Sequence, residues 1–412
     1  MSTGSLAQHV RPGDVLVAAQ VLGEPTALLD ALFEQTTHIE GLRLFVGMSL
    51  TDVLTRCPDH IRLVTSVGMP PNGGLIACGR MDLVPCHMSE LPWLLTDGPL
   101  GVDVAIIQVS PPDADGWCSL GVNADYAWPV VQRARVVLAE INDQVPVVGG
   151  DTRVHRDQIT ASIRTSRALP EQPLAEPSEL ERRVGAHIAR FVHDGSCLQI
   201  GIGKLGEAVL QAVADRRDLA VHSGMVGDTL LELMRAGVVT NKTKEIDRGV
   251  SVAGSVLGTG RAVALAADEP NLHLREIGYT HDPANIAAIS GFLCVNSALE
   301  VDIFGQVNSE TAGGRYVGAI GGSVDYLRSA VRAPDGRSIV ALPATTGKGR
   351  TRIVPRVERV TALGADVDVL TTEHGIAEVR GCSAGERARR IIAIAAPEAR
   401  ADLETAARAA GL

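Results

Sequence analysis

Eight runs of consecutive apolar residues, each bounded by turn-forming residues, constrain this chain more than any other feature. They are DVLVAAQVL (14–22), LRLFVGM (42–48), DVAIIQVS (103–110) and ARVVLAEIN (134–142), then CLQIGIG (197–203), LAVHSGM (219–225), SIVALPA (338–344) and VDVLTT (367–372). A strand with one wet face alternates apolar and polar residues, whereas a continuous run requires cover on both faces. Helical patterns stand between the runs, in EPTALLDALFEQ, GEAVLQAVADRR, TLLELMRAG and GERARRIIAIA, the last with Arg on one side and apolar residues on the other. Doubly buried strands alternating with helices predict an α/β fold built on largely parallel sheet.

At 412 residues the chain is too long for one ordinary core and suits two domains. Two segments resemble each other: RPGDVLVAAQVLGEPTALLDALFEQ (11–35) and HDGSCLQIGIGKLGEAVLQAVADRR (193–217) each read turn, strand, Leu-Gly-Glu, helix. Each precedes a second strand ending in Gly-Met, at Gly47-Met48 and Gly224-Met225. A divergent duplication is the reading, with two related open α/β domains, 1–180 and 181–412, divided within LPEQPLAEPSELERRV (169–184).

The net charge of −10 and the lack of any basic run argue against nucleic acid or anionic membrane as partners. No apolar run reaches the roughly 18–20 residues of a membrane helix. Seven scattered cysteines without a CxxC pair, and an N-terminus without an apolar signal core, predict reduced thiols and a cytoplasmic protein.

Three glycine-rich stretches draw attention. QIGIGKLGEAV (199–209) places Gly201 and Gly203 between a strand and a helix, where backbone N–H groups suit an oxyanion or a phosphate, and Gln199 just before them could orient a substrate carboxylate. GGRYVGAIGGSVDY (313–326) centres on Gly321 and Gly322, and ATTGKGRTRIVP (344–355) carries Lys348, Arg350 and Arg352 beside glycines. The first is equally well a tight turn, and the third a solvated basic loop. His222, His273, His281 and His374 form no metal-ligand spacing, and neither a nucleophile elbow nor a P-loop is present.

Taken together, these stretches resemble the acetyl-CoA hydrolase/transferase family, the homodimeric branch of class I CoA-transferases. The likeness runs nearly end to end, through GRMDLVPCHMSELPWL (79–94), DVAIIQVSPPDADGWCSLG (103–121), DGSCLQIGIGKLGEAV (194–209), NSALEVDIFGQVNSE (296–310), GAIGGSVDYLR (318–328), LPATTGKGRTRIVP (342–355) and TEHGIAEVRGCSAGERAR (372–389). It implies two CoA-transferase-type domains, an acyl-CoA substrate in the cleft between them, a homodimer, and coenzyme A as part of the substrate with no permanently bound cofactor. Transferases of this family use a glutamate that takes CoA as a glutamyl thioester. The family's segment His-Thr-Glu-Met-x-x-Asp-Gly matches His222-Ser223-Gly224-Met225-Val226-Gly227-Asp228-Thr229, so Gly224 stands where the glutamate is expected. The family's Tyr-Val-Asn-Asp-Pro matches Tyr279-Thr280-His281-Asp282-Pro283, with His281 in place of Asn.

Three readings follow. In the first, backbone N–H groups of Gly201/Gly203 or Gly321/Gly322 hold a thioester oxyanion while His281 or His222 serves as base, giving hydrolysis or a lyase (C–C cleavage) reaction without a glutamyl thioester. In the second, CoA transfer persists on a relocated carboxylate: Asp228, Glu276, Glu300 or Glu310, with Asp228 also expected as the N-cap of TLLELMRAG and Glu300 in a supporting role. In the third, the chain binds CoA esters without turnover.

Overall fold

The computed structural model describes residues 5–174 and 176–412. The first sheet has seven strands: β1 (Val15–Ala18), β2 (Leu42–Val46), β3 (Ile61–Thr65), β4 (Met81–Leu83), β5 (Val104–Val109), β6 (Val136–Asn142) and β7 (Ala161–Thr165), in the order β7-β6-β5-β1-β2-β3-β4 and parallel throughout. The second has six: β8 (Cys197–Ile200), β9 (Ala220–Val221), β10 (Phe292–Ser297), β11 (Arg337–Ala341), β12 (Val369–Thr372) and β13 (Gly375–Glu378), in the order β9-β8-β10-β11-β12-β13. β13 alone runs antiparallel, as a hairpin on β12.

The two orders coincide. Read from the second strand of each half, β2-β1-β5-β6-β7 repeats as β9-β8-β10-β11-β12. Each sheet therefore has its first strand inside, and chain segments leave the C-terminal ends of β1 and β8 at corresponding places. Every residue of β1, β5, β6 and β8 is buried, as the continuous apolar runs require. Around the sheets lie α1 (Thr26–Gln35), α2 (Glu179–Ile188), α3 (Lys204–Ala212), α4 (Asp228–Arg235), the one-turn α5 (Ile277–Thr280), α6 (Ser323–Ala330) and α7 (Ala384–Ala393). Ser178 opens α2 with a reciprocal capping box to Glu181. A division at 180 thus falls in the first turn of a helix, and residue 175 of the segment 169–184 lies outside the described residues.

Two expectations need correction. The run LAVHSGM yields only the two-residue β9; His222 adds a single parallel bridge to Val252, the chain bends at Gly224, and Met225–Val226 pairs elsewhere, with Ser255–Val256. Asp228 does not cap its own helix. Gly227 occupies the N-cap, and the Asp228 carboxylate instead accepts from the Thr259 amide (3.1 Å) and hydroxyl.

Candidate active site

The two halves interlock through backbone bonds, Gly68 N–H to Gly318 O (2.8 Å), Met88 N–H to Gly321 O (3.1 Å), and the Ala124 and Asp125 N–H groups to Gly254 O (3.1 Å each). A cavity of about 240 Å³ opens between them. Gln20, Met48 and Asp125 line it from the first half; Gln199, Gly201, Gly224, His281, Asn296, Gly321, Gly322 and Tyr326 line it from the second. A larger chamber of about 500 Å³ adjoins it, sharing Met48, Met69, Ile200, Gly201, Ile202 and Met225. The Gly-Met dipeptides of the duplicated segments thus bring Met48 and Met225 to the same cleft.

His281 ends the single turn of α5, its N–H bonded to Ile277 O at 3.0 Å. Its Nδ1 lies 2.9 Å from the Thr280 hydroxyl. Its ring packs on Tyr326, with centroids 4.7 Å apart. The other ring edge faces two glycines. A Cβ built on Gly224 would stand 3.0 Å from Cε1 and 3.1 Å from Nε2, and one on Gly322 would stand 2.2 Å from Nε2. The imidazole therefore fills the space that side chains at 224 and 322 would need.

Behind this layer, the Thr280 carbonyl accepts from the Tyr326 hydroxyl (3.0 Å) and from His222 Nε2 (3.1 Å). A carbonyl only accepts, so Nε2 of His222 carries the proton. Its Nδ1 is then a buried lone pair without a protein partner. Burial holds both histidines neutral: it brings His222 down to about 4, and His281 down to about 3 with help from neighbouring His222. His222 is fully buried and does not reach the cavity wall, so a role as base at the substrate is not supported; it braces the carbonyl that orients Tyr326.

Polar groups furnish the rest of the wall. Gln20 accepts from Met48 N–H (2.7 Å) through Oε1, which leaves its amide to donate to Asp125 at 2.6 Å. Asp125 also accepts from Asn123 (2.7 Å) and Ala127 N–H (3.2 Å), and burial pushes its carboxyl up. Gln199 and Asn296 pair through their amides, Asn296 Nδ2 to Gln199 Oε1 at 2.9 Å. The Gly201 N–H is engaged by Val295 O (2.8 Å) and is not free for an oxyanion. Among the described residues, the amides of Gly321 and Gly322 meet no backbone acceptor, and they stand at the start of α6.

Other sequence-derived candidates lie apart. Gly203 lines the larger chamber, as does Asp228. Glu276 accepts from the Gly278 amide, Glu300 accepts from Asn308 Nδ2 (3.2 Å), and Glu310 accepts from Thr361; none lines the smaller cavity. Lys348 and Arg350 sit on an exposed loop beyond β11 and touch neither cavity, while Arg352 is partly buried against Ala298 O. Sequence reasoning missed Gln20, Asp125, Asn296 and Tyr326. Asn296 and Tyr326 lay inside stretches already singled out; Asp125 gave no local signal, since its environment comes from Gln20, more than a hundred residues away.

A cleft between two like α/β halves, floored by glycines and an amide pair, is the setting in which small-molecule enzyme sites are found. The comparisons name the class. The models of the acetyl-CoA hydrolase/transferase N-terminal and C-terminal domains match residues 1–167 and 258–407. The chain belongs to that family. It is 34% identical over 395 residues to the 4-hydroxybutyrate coenzyme A transferase of Clostridium kluyveri, covering 94% of this chain and 92% of that one. It is 26% identical to the acetyl-CoA hydrolase of Saccharomyces cerevisiae, covering 90% and 80%. The crystal structure of RipA from Yersinia pestis superposes with a TM-score of 0.94 at 32% identity, covering 100% of this chain and 97% of that one. Among the described residues no helix is long and apolar enough to cross a membrane, and no cluster of three or more His, Cys, Asp or Glu is placed to hold a metal ion.

Proposed function

We propose that this protein hydrolyses acyl-CoA thioesters by direct attack of water, with His281 as base and no glutamyl-CoA intermediate. The observation that carries the reading is the contact between Gly224 and His281: the position where the resemblance implies a glutamate holds no side chain, and the imidazole occupies the adjoining space. Loss of the nucleophile and gain of a ring nitrogen meet at one point in the cleft, as a change of chemistry requires.

In the step proposed, His281 Nε2 takes a proton as the water oxygen bonds to the thioester carbon. The carbonyl oxygen gains charge and accepts from the Gly321 and Gly322 amides, where each donor is worth about 2.7–4 kcal/mol. The C–S bond then breaks, and the imidazolium returns its proton to the leaving thiolate. The Gln199–Asn296 pair and Asp125 orient the acyl-CoA. A base held as low as about 3 is a weak one, so the reaction draws on positioning and the amide donors more than on proton affinity.

One observation favours a second reading. Among the described residues, Asp125 is the carboxylate on the wall of the reaction cavity, so a transferase with a relocated nucleophile would use it rather than Asp228, Glu276, Glu300 or Glu310. Three fixed donors on its oxygens argue for an orienting role. The distinguishing experiment is a thiol assay of CoA release with and without added carboxylic acids. Release without acceptor, at a rate no acid accelerates, is expected; strict dependence on an acceptor, with ping-pong kinetics, overturns the hydrolase reading.

A further inference from the structure

We propose that the larger chamber seats the acyl group and selects an uncharged aliphatic chain longer than acetyl over a dicarboxylic one. The inference rests on the reading that the protein acts on acyl-CoA. The chamber meets the reaction cavity along Gly201 and Ile202, so a thioester carbonyl held beside His281 has a direct path into it.

The wall is aliphatic. Leu50, Leu210, Leu230 and Leu257 line it, with Met48, Met69 and Met225 at the junction, and methionine adapts to chains of different shape. Among the described residues that line it there is no Lys or Arg. Its acids, Asp228 and Glu207, are both engaged, Asp228 by Thr259 and Glu207 by the Thr229 hydroxyl, and burial together with Asp228 pushes the Glu207 carboxyl up. A second carboxylate on the acyl group would enter with no cation to meet it and with negative charge nearby, which disfavours its burial.

The strand order sets the chamber and the cationic loop on opposite sides of β8. The chamber lies at β8 on the side of Met225–Leu230, whereas the loop bearing Lys348 and Arg350 follows β11, two strands from β8 on the other side. Anionic phosphates would turn toward that loop, and the acyl group toward the chamber. At about 500 Å³ the chamber is far larger than an acetyl group needs. The segment between the two halves roofs it: Gln172 N–H bonds Gly258 O at 2.9 Å, and Pro173 and Leu174 complete the wall.

The test is a calorimetric ladder of non-hydrolysable ketone analogues of acyl-CoA, from two to eight acyl carbons, with an ω-carboxylated analogue at four and six carbons. Affinity should rise about three- to fivefold per methylene until the chamber is full. Each carboxylated analogue should bind roughly a hundredfold more weakly than its uncharged counterpart. Leu50→Arg should narrow that gap, and Leu174→Trp, at a position 43% exposed and so safe for folding, should truncate the ladder. Both variants should bind free CoA as the parent does. A flat ladder, or equal binding of carboxylated analogues, overturns the proposal. So does a loss of free-CoA affinity in Leu174→Trp, which would place the pantetheine arm in the chamber. Because the readout is binding, a rising ladder in a protein that releases no CoA supports this inference while contradicting the hydrolase reading.

Discussion

At the scale of single residues, the site depends on what two glycines leave open. His281 lies in the space that a Cβ at 224 would crowd and one at 322 would penetrate. Placing a glutamate at 224 alone should therefore not confer transfer, since Gly224→Glu forces its Cβ against the imidazole. The double variant Gly224→Glu, His281→Asn removes that crowding. It is expected to gain acceptor-dependent CoA transfer and a borohydride-trappable adduct, with neither gained by Gly224→Glu alone. His281→Asn by itself should lower kcat/KM for CoA release by about 10²–10⁴-fold with little change in substrate affinity. The base form of a histidine lies above its pKa, and this one is held down to about 3. Loss of activity on acidification from pH 8 to pH 5 should therefore show no inflection near 6.5 from His281; a pH-rate profile with one would contradict the burial argument.

At the scale of elements, much of the scaffold was readable. All eight apolar runs contain strands of the two main sheets, because continuous hydrophobicity is what a doubly covered parallel strand requires. What escaped was set by partners distant in sequence. The central strand β10, FLCVNS, ends in polar residues, and its buried Asn296 finds a hydrogen-bond partner in Gln199 of β8. The stretch around Gly321 and Gly322 reads as a loop, yet it delivers α6, and Gly321, Gly322 and Ser323 line the cleft. Of the candidate site, Gln199, Gly224, His281 and the Gly321–Gly322 pair were legible; Gln20, Asp125 and Tyr326 take their roles from tertiary contacts alone. Close approach gives a sharp test here. In Gly322→Ala the new methyl would meet Nε2, so the ring must move; CoA release should fall by at least about a hundredfold while the fold persists. In Gly206→Ala the Cβ would lie 2.1 Å from Gly201 O, where α3 meets β8, and the expected result is loss of about 1–3 kcal/mol in urea denaturation.

At the scale of the whole molecule, two like sheets present their C-terminal ends to a shared cleft, and the chemistry is buried between them. That burial has a cost at low pH. His222 and His281 remain neutral in the native state down to about 4 and about 3, whereas in the unfolded chain they take up protons near 6.5. The unfolded state then binds more protons, so stability falls as pH drops below about 6.5, by about 2.5 kcal/mol per histidine at pH 4.5. Buried carboxyls held up, such as Asp125, Glu24 and Asp325, act in the opposite sense, so the effect is read as a difference. His222→Gln should show a shallower decline in urea midpoint between pH 7 and pH 4.5 than the parent; parallel curves would contradict it.

On the hydrolase reading, CoA leaves without ever being bonded covalently to the protein. The most direct measurement is intact-protein mass spectrometry of the enzyme quenched during turnover with an acyl-CoA it cleaves, with and without borohydride. Direct attack by water leaves unmodified protein alongside continuous CoA release, whereas a CoA-sized adduct, or its borohydride-reduced product, on Asp125 or any other carboxylate would overturn the hydrolase reading.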